Sequence, residues 1–173
     1  MTDPTTTKPA PKVYPNVQVA VALLRRGDAI VLVQERRSEL VFWSVPGGGV
    51  ELGELVTEAL VRETKEEAGV VLRSHGRLAY IVNSTSEKFP SSLALFYECE
   101  DWDGEIAPAD PDEDILHAAL FPREEAIALL ESSPATRPEI EPLLAYLRDP
   151  SAPTAVWSYR DDLPVTPATP DPA

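Results

Sequence analysis

The first hydrophobic runs of the chain have the period of β-strands and are separated by turn residues. Two β-branched runs occupy 17–24 (VQVAVALL) and 29–34 (AIVLVQ), with Gly27-Asp28 between them. This arrangement predicts an antiparallel hairpin. A third short strand is predicted at 41–45 (VFWSV), because Pro46 and the three glycines that follow it interrupt strand pairing.

Later hydrophobic positions predict one strong helix and then a mixture of strands and helices. Residues 54–68 carry apolar side chains at helical spacing, and Gly69 follows where a C-terminal glycine is expected. Strands are predicted at 78–82, 93–97 and 115–121, and helices at 123–130 and 138–147. This order favours an α+β fold, an α/β/α sandwich in which a mixed sheet lies between helices.

The two ends of the chain are rich in proline and poor in apolar residues. Residues 1–15 and 149–173 together hold ten of the eighteen prolines. Neither segment buries enough surface to offset the entropy of ordering, so we predict a disordered tail, a domain at 16–148 and a Pro-rich C-terminal tail. The aromatic run 156–159 (VWSY) leaves two alternatives for the second tail, docking on a surface or plain disorder.

Net charge excludes several classes of partner. The chain carries a formal charge of −14 and has a pI near 4.5. Nucleic acid polymers and anionic membranes would therefore repel it. No run reaches the length of a membrane span, no secretory leader is evident, and Cys99 is the single cysteine. A cytoplasmic protein is expected.

The segment 48–70 concentrates charge in a way that a stable fold alone does not require. It packs six carboxylates against two cations around a glycine turn and the predicted helix. Glu63, Glu66 and Glu67 share one helix face, where like charges repel. A hard divalent cation, Mg²⁺ or Mn²⁺, is the natural counter-charge for oxygen ligands. Arg62 can reach back to a loop carboxylate such as Glu51 and brace the loop.

The same residues resemble the Nudix box, the signature of the Nudix hydrolase superfamily. The pattern is Gly48, Glu54, Arg62-Glu63, Glu66-Glu67, Gly69 and Val70 at the family's spacing. Thr64 stands where the family usually has a bulky aliphatic residue, which puts local packing in doubt. The resemblance extends over roughly residues 16 to 147 and implies the α/β/α sandwich already favoured above.

The resemblance also implies roles for individual residues. Glu63, Glu66 and Glu67 would hold the metal, with a backbone carbonyl at Gly47 or Gly48 completing its shell. Arg62 would orient a carboxylate, which makes Arg62, Glu63 and Glu66 the catalytic group. The general base would be either Glu63 in the box or Glu113 in the later acidic stretch.

The implied function is metal-dependent hydrolysis of a pyrophosphate bond in a nucleoside diphosphate linked to another moiety, by water attack on phosphorus. A non-catalytic nucleotide-binding module of the same fold is the alternative. Arg36 and Arg37 could meet substrate phosphates and Trp43 could stack a base, although as plain structure they are solvated turn residues and a core aromatic. The substrate and the oligomeric state, including a homodimer, stay open.

Overall fold

All six strands and three helices that the hydrophobic pattern predicts are present, and the described part of the chain holds four further short strands. The computed structural model describes residues 16–87 and 89–160. The strands are β1 Val17–Arg26, β2 Ala29–Arg37, β3 Leu40–Ser44, β4 Gly47–Gly49, β5 Val71–Leu72, β6 Arg77–Ser84, β7 Ser92–Cys99, β8 Trp102–Asp103, β9 Ile115–Pro122 and β10 Ala155–Tyr159. The helices are α1 Val56–Ala68, α2 Arg123–Glu131 and α3 Arg137–Arg148.

Strand β1 lies at the centre and is buried on both faces, which explains its nearly continuous apolar sequence. Val21 and Leu23 point to one hydrophobic cluster, which includes residues of α2 and α3. The alternate residues Ala20, Ala22 and Leu24 point to a second cluster with α1. Helices therefore cover the mixed sheet on two sides, and the predicted α/β/α sandwich is confirmed.

The sheet is mixed and divides around β2. Its order is β10, β6, β7, β1, β2, β3, while β4 pairs with β1 and β9 pairs with β2. Strand β1 is parallel to β7 along its length. The predicted antiparallel contact with β2 exists, but it is confined to Arg25 opposite Ile30 and Arg26 opposite Ala29. Beyond this contact, β2 diverges from β1 to pair with β3 and β9.

Helix α1 begins two residues later than the sequence pattern predicts. Glu54 stays in the preceding loop, and the helix begins after Leu55, whose N–H donates to the Glu58 carboxylate at 2.8 Å. The helix ends as expected at Gly69, with φ of 76°. Glycine is required at position 69 for space as well, because a Cβ there would overlap the backbone of Ala107.

The C-terminal boundary predicted at residue 148 differs from the structure. Strand β10 adds to the sheet edge parallel to β6, with Ala155 opposite Tyr80 and Tyr159 opposite Ser84. The Tyr159 side chain is buried, and Trp157 packs against the cluster beside α2 and α3. Of the two alternatives for this run, docking is the one observed, because two aromatic rings bury enough surface to order the strand. Residues 1–15 and 161–173, where the rest of the predicted tails fall, lie outside the described residues.

No helix in the described part of the chain is long and apolar enough to cross a membrane.

Candidate active site

Arg62 is the centre of the acidic segment. Its guanidinium pairs with both carboxylate oxygens of Glu54, at 2.9 and 3.0 Å. One of its terminal nitrogens also donates to Glu63 at 2.6 Å and to Glu66 at 3.2 Å, and the other donates to the carbonyl of Gly49 at 2.9 Å. Arg62 thus braces loop and helix together as predicted, although its carboxylate partner in the loop is Glu54 and not Glu51.

The glycine turn lets the helix carboxylates approach the backbone closely. Strand β4 pairs with β1, and its first N–H, at Gly47, donates to Glu67 at 2.9 Å. The Glu63 carboxylate packs directly on Gly48, where a Cβ would overlap its oxygens. Glycine is therefore required at position 48 for space.

An acidic loop after β8 completes a cleft opposite α1. Backbone hydrogen bonds from Ala107 to Ala68 at 3.0 Å and from Ala109 to Glu66 at 2.8 Å tie this loop to the helix. The cleft has a volume of about 460 Å³. It is lined by Glu35, Gly49, Glu51, Arg62, Glu63, Glu66, Glu67, Asp110, Pro111, Asp112, Asp114 and Ile115.

Asp110 organises the acidic loop from within. Its carboxylate accepts hydrogen bonds from the backbone N–H groups of Asp112, Asp114 and Ile115 at 3.1, 2.8 and 3.0 Å. A short side chain that bonds to nearby backbone is typical of tight loops. The consequence is a rigid turn that presents the side chains of Asp112 and Asp114 to the cleft.

Burial and mutual repulsion perturb the cleft carboxylates. Burial, aided by the charges of Glu63, Glu35 and Asp110 and opposed by the Gly47 N–H, raises the pKa of Glu67 to about 8. Burial also raises the pKa of Glu63 and of Glu35, each partly offset by an arginine. Metal-free, the cleft therefore holds more protons near neutral pH than free glutamates would.

Two of the predicted site residues lie beside the cleft but do not line it. Gly48, predicted as a metal-shell carbonyl, serves as the surface on which Glu63 packs, and Gly49 lines the cleft instead. Glu113, predicted as a loop base, is exposed and takes the left-handed conformation with φ of 57°. Its acidic neighbours Asp112 and Asp114 face the cleft because residue 113 forms the bend of the loop.

The predicted substrate-binding residues are not brought into the cleft. Arg37 pairs with Glu35 at 3.0 Å and with Glu139 at 2.7 Å. Arg36 is exposed at the end of β2, where only its backbone N–H, bonded to the carbonyl of Asp114, reaches the acidic loop. Trp43 is half-buried and meets the ring of Phe121 edge-on at 5.2 Å. Trp43 therefore packs as an aromatic residue of the sheet, whereas the two arginines lie at the end of β2 and not in a turn.

Sequence reasoning missed Glu35, Asp110, Asp112 and Asp114 as lining residues. The sequence did offer a sign that Glu35 is a functional residue. It places a charge directly after the apolar run of β2, and a strand paired with neighbours on both sides does not favour a charge. The three aspartates were visible as an acidic stretch. Their distance from the box in sequence hid the backbone bonds that bring them to α1.

Thr64, the departure from the expected pattern, is fully buried, and its hydroxyl donates to the Leu60 carbonyl at 2.6 Å. The local packing is therefore intact.

The donor set of the cleft fits a hard divalent cation. Eight lining residues are Asp or Glu, which supply only oxygen, and Glu67 is strongly disfavoured as an anion without a counter-charge. In the described residues, no three Asp, Glu, His or Cys side chains already converge as a metal site. Arg62 stands between Glu63 and Glu66 and holds them as ion pairs.

Comparison with known proteins agrees with this architecture. Residues 15–144 match the NUDIX domain, so the chain belongs to the Nudix family. It is 36% identical over 100 residues to the NAD-capped RNA hydrolase NudC of Pseudomonas aeruginosa, covering 57% of this chain and 34% of that protein. It is 31% identical over 144 residues to the putative ADP-ribose pyrophosphatase YjhB of Bacillus subtilis, covering 81% of this chain and 65% of that protein. The chain thus spans between a third and two thirds of the length of these relatives.

Solved structures share the fold. The MutT NUDIX hydrolase of Burkholderia pseudomallei superposes with a TM-score of 0.57 at 26% identity, covering 64% of this chain and 86% of that one. A NUDIX hydrolase of Nitrosomonas europaea superposes with a TM-score of 0.70 at 17% identity, covering 87% and 82%. The latter likeness concerns the fold alone.

Proposed function

We propose that the protein is a divalent-metal-dependent hydrolase that cleaves the pyrophosphate bond of a nucleoside diphosphate linked to another moiety. The observation that carries this proposal is the set of contacts made by Arg62, which draw Glu54, Glu63 and Glu66 to the edge of one acidic cleft. A helix-surface arginine with no site to organise needs one partner, and this one has four. Such pre-organisation is what catalysis by positioning requires.

Glu63, Glu66 and Glu67 would hold the cation, Mg²⁺ or Mn²⁺, because they line the cleft from one helix. When bound, the cation supplies the positive charge that this cleft lacks and polarises a phosphoryl oxygen. The protein's own contribution is to keep these carboxylates in place. Arg62 restrains Glu63 and Glu66, and the Gly47 N–H restrains Glu67.

Water attack on phosphorus forms one P–O bond and breaks the P–O bond to the leaving phosphate, and the water proton must go to a base. We assign that base to Glu63, which lines the cleft and is 9% exposed, in preference to Glu113, which does not line it. Burial raises the pKa of Glu63 in the metal-free protein, opposed by its hydrogen bond with Arg62, whereas a bound cation would favour the ionised form that can accept a proton.

The relatives support a pyrophosphate substrate. ADP-ribose and NAD, which appear in the names of the relatives, each join adenosine to a second ribose through a pyrophosphate. The experiment is a panel with Mg²⁺ or Mn²⁺: ADP-ribose, NADH, dinucleoside polyphosphates, nucleotide sugars, coenzyme A and oxidised nucleoside triphosphates. Binding without product across the whole panel would favour the alternative, a non-catalytic nucleotide-binding module.

The metal assignment is tested by Glu67→Gln, which should keep the fold and lower metal-dependent turnover about a hundredfold or more. Glu58→Gln is the matched control. Glu58 lies on the same helix, outside the cleft, and glutamine can still accept the Leu55 N–H. Near wild-type turnover by Glu67→Gln, with Glu58→Gln also active, would overturn the assignment.

A further inference from the structure

The wall of the cleft opposite the box helix is formed by the end of β2 and the acidic loop. Resting on the function proposed above, we propose that Glu35, anchored by Arg37 and Glu139, is a specificity-determining residue that makes the cleft select pyrophosphate diesters over nucleoside triphosphates. Glu35 and Glu139 both lie outside the box, and neither is among the carboxylates assigned above to the metal.

Glu35 is held by Arg37, a residue that does not line the cleft. Two nitrogens of Arg37 donate to the same Glu35 oxygen, at 3.2 and 3.0 Å. A third nitrogen donates to Glu139 at 2.7 Å, and the guanidinium lies over the ring of Phe42 at 4.7 Å. Arg37 is therefore fixed by three separate groups, and it holds Glu35 through one oxygen.

The anchor on α3 is itself fixed. The second oxygen of Glu139 accepts hydrogen bonds from the backbone N–H and the hydroxyl of Thr136, at 2.8 and 2.6 Å. These bonds form the cap at the start of α3. The Glu35 wall is thus tied to a helix end, and a charge held this way cannot move aside for a ligand at low cost.

The acidic loop joins the same wall. The backbone N–H of Arg36 donates to the carbonyl of Asp114 at 2.8 Å, which fixes the end of β2 against the loop. The charge of Asp114 contributes to raising the pKa of Glu35, and the charge of Glu35 contributes to raising the pKa of Glu67. Glu35 therefore lies within electrostatic reach of both the loop and the box helix.

The cleft has little positive charge of its own to offer a ligand. Among the described residues that line it, eight are Asp or Glu and Arg62 is the only cation. Arg62 already pairs with Glu54, Glu63 and Glu66. Bound metal ions must therefore balance most of the charge of any phosphate ligand. Each additional negative charge on the ligand is repelled by the carboxylates that neither metal nor Arg62 neutralises.

Phosphate ligands differ in how much charge they bring. A pyrophosphate diester such as ADP-ribose carries about one negative charge on each phosphate, whereas the terminal phosphate of a triphosphate carries about −1.5 to −2 by itself. Such a group in this cleft would face the Glu35 and Asp114 wall in a partly desolvated site, where like charges repel strongly. The cleft should therefore bind nucleoside triphosphates less well than pyrophosphate diesters.

The experiment compares kcat/KM for ADP-ribose and dATP, two adenine nucleotides, at saturating Mg²⁺. For the wild-type protein, kcat/KM should be about tenfold or more higher for ADP-ribose than for dATP. Glu35→Gln should reduce this ratio about fivefold, mainly by lowering KM for dATP. Arg37→Gln should also narrow the preference, because it releases Glu35 from its anchor and lets the carboxylate move away from the ligand. Glu39→Gln is the matched control, since it removes an exposed charge from the neighbouring β2–β3 connection, outside the cleft.

The outcomes separate this inference from the proposed function. Equal or better use of dATP by the wild-type protein, or an unchanged preference in Glu35→Gln, would overturn the specificity role while hydrolysis stands. An equal loss of activity toward both substrates in Arg37→Gln would instead make Arg37 a direct phosphate ligand and also overturn it. If neither nucleotide is hydrolysed but another member of the panel is, the proposed function stands; if no member of the panel is hydrolysed, the proposed function alone fails. In both cases, calorimetric binding of ADP-ribose and dATP to the same variants tests the preference.

Discussion

Glu67 couples the stability of the metal-free protein to pH. It lies against Gly47 and faces the charges of Glu63, Glu35 and Asp110, and its pKa rises from 4.5 to about 8, mainly because of burial. Between these two values the folded chain holds a proton that the unfolded chain has released. Stability therefore falls as pH rises from about 4.5 to about 8, and the loss is complete above the folded-state pKa.

The size of the effect follows from the proton difference. Between pH 6 and pH 8 the folded state holds most of one extra proton, so the free energy of unfolding should fall by about 2 kcal/mol. For a domain of this size that corresponds to a decrease in Tm of about 6 °C. A bound divalent cation favours the ionised form, so the stabilisation by Mg²⁺ or Mn²⁺ should be larger at pH 8 than at pH 6.

The assay is thermal unfolding at pH 6, 7 and 8 in chelator, with and without excess Mg²⁺. Glu67→Gln is the matched control, because glutamine keeps the Gly47 hydrogen bond and cannot ionise. Its Tm should change less over this range and exceed that of the wild-type protein at pH 8 without metal. If the two proteins showed the same pH slope in chelator, the coupling assigned to Glu67 would be refuted.

Two further substitutions test the packing of the site and the edge of the sheet. Gly48→Ala should displace the Glu63 carboxylate and lower kcat about a hundredfold with little change in Tm. Gly49→Ala is the control and should retain activity, because a Cβ at this position meets no atom within 4 Å. Equal activity of the two variants would contradict this account. Ending the chain after Thr154 removes β10 with its buried aromatic residues and should cost about 3–5 kcal/mol in denaturant unfolding, relative to a chain that ends after Arg160. Equal stability of the two shortened chains would show that β10 contributes little.

The core elements could be predicted because their signals are local. The run at 17–24 is apolar at every position except Gln18 because β1 is buried between two helix layers, and Gly69 ends α1 where the pattern expects it. Strand β10 could not be predicted in the same way. Its aromatic residues lie among prolines and polar residues, and only the free edge of β6 and the cluster beneath it make the strand favourable.

The acidic face of the box could be predicted from sequence because residues three or four positions apart lie on the same side of a helix. Glu63, Glu66 and Glu67 share a face at any position in any fold, and a conflict among three like charges points to a cation. The sequence alone therefore predicted the acidic helix, its bracing arginine and a cation as the ligand that we propose.

Tertiary structure decided which other residues share the cleft. Glu35, on β2, and the 110–114 loop are distant from the box in sequence and meet it only through the sheet and the backbone bonds of Ala107 and Ala109. Tertiary packing also keeps the Arg37 side chain out of the cleft, because its guanidinium donates a hydrogen bond to Glu139 of α3 at 2.7 Å. Long-range packing sets such partners, and a side chain's charge alone does not reveal which opposite charge it will meet.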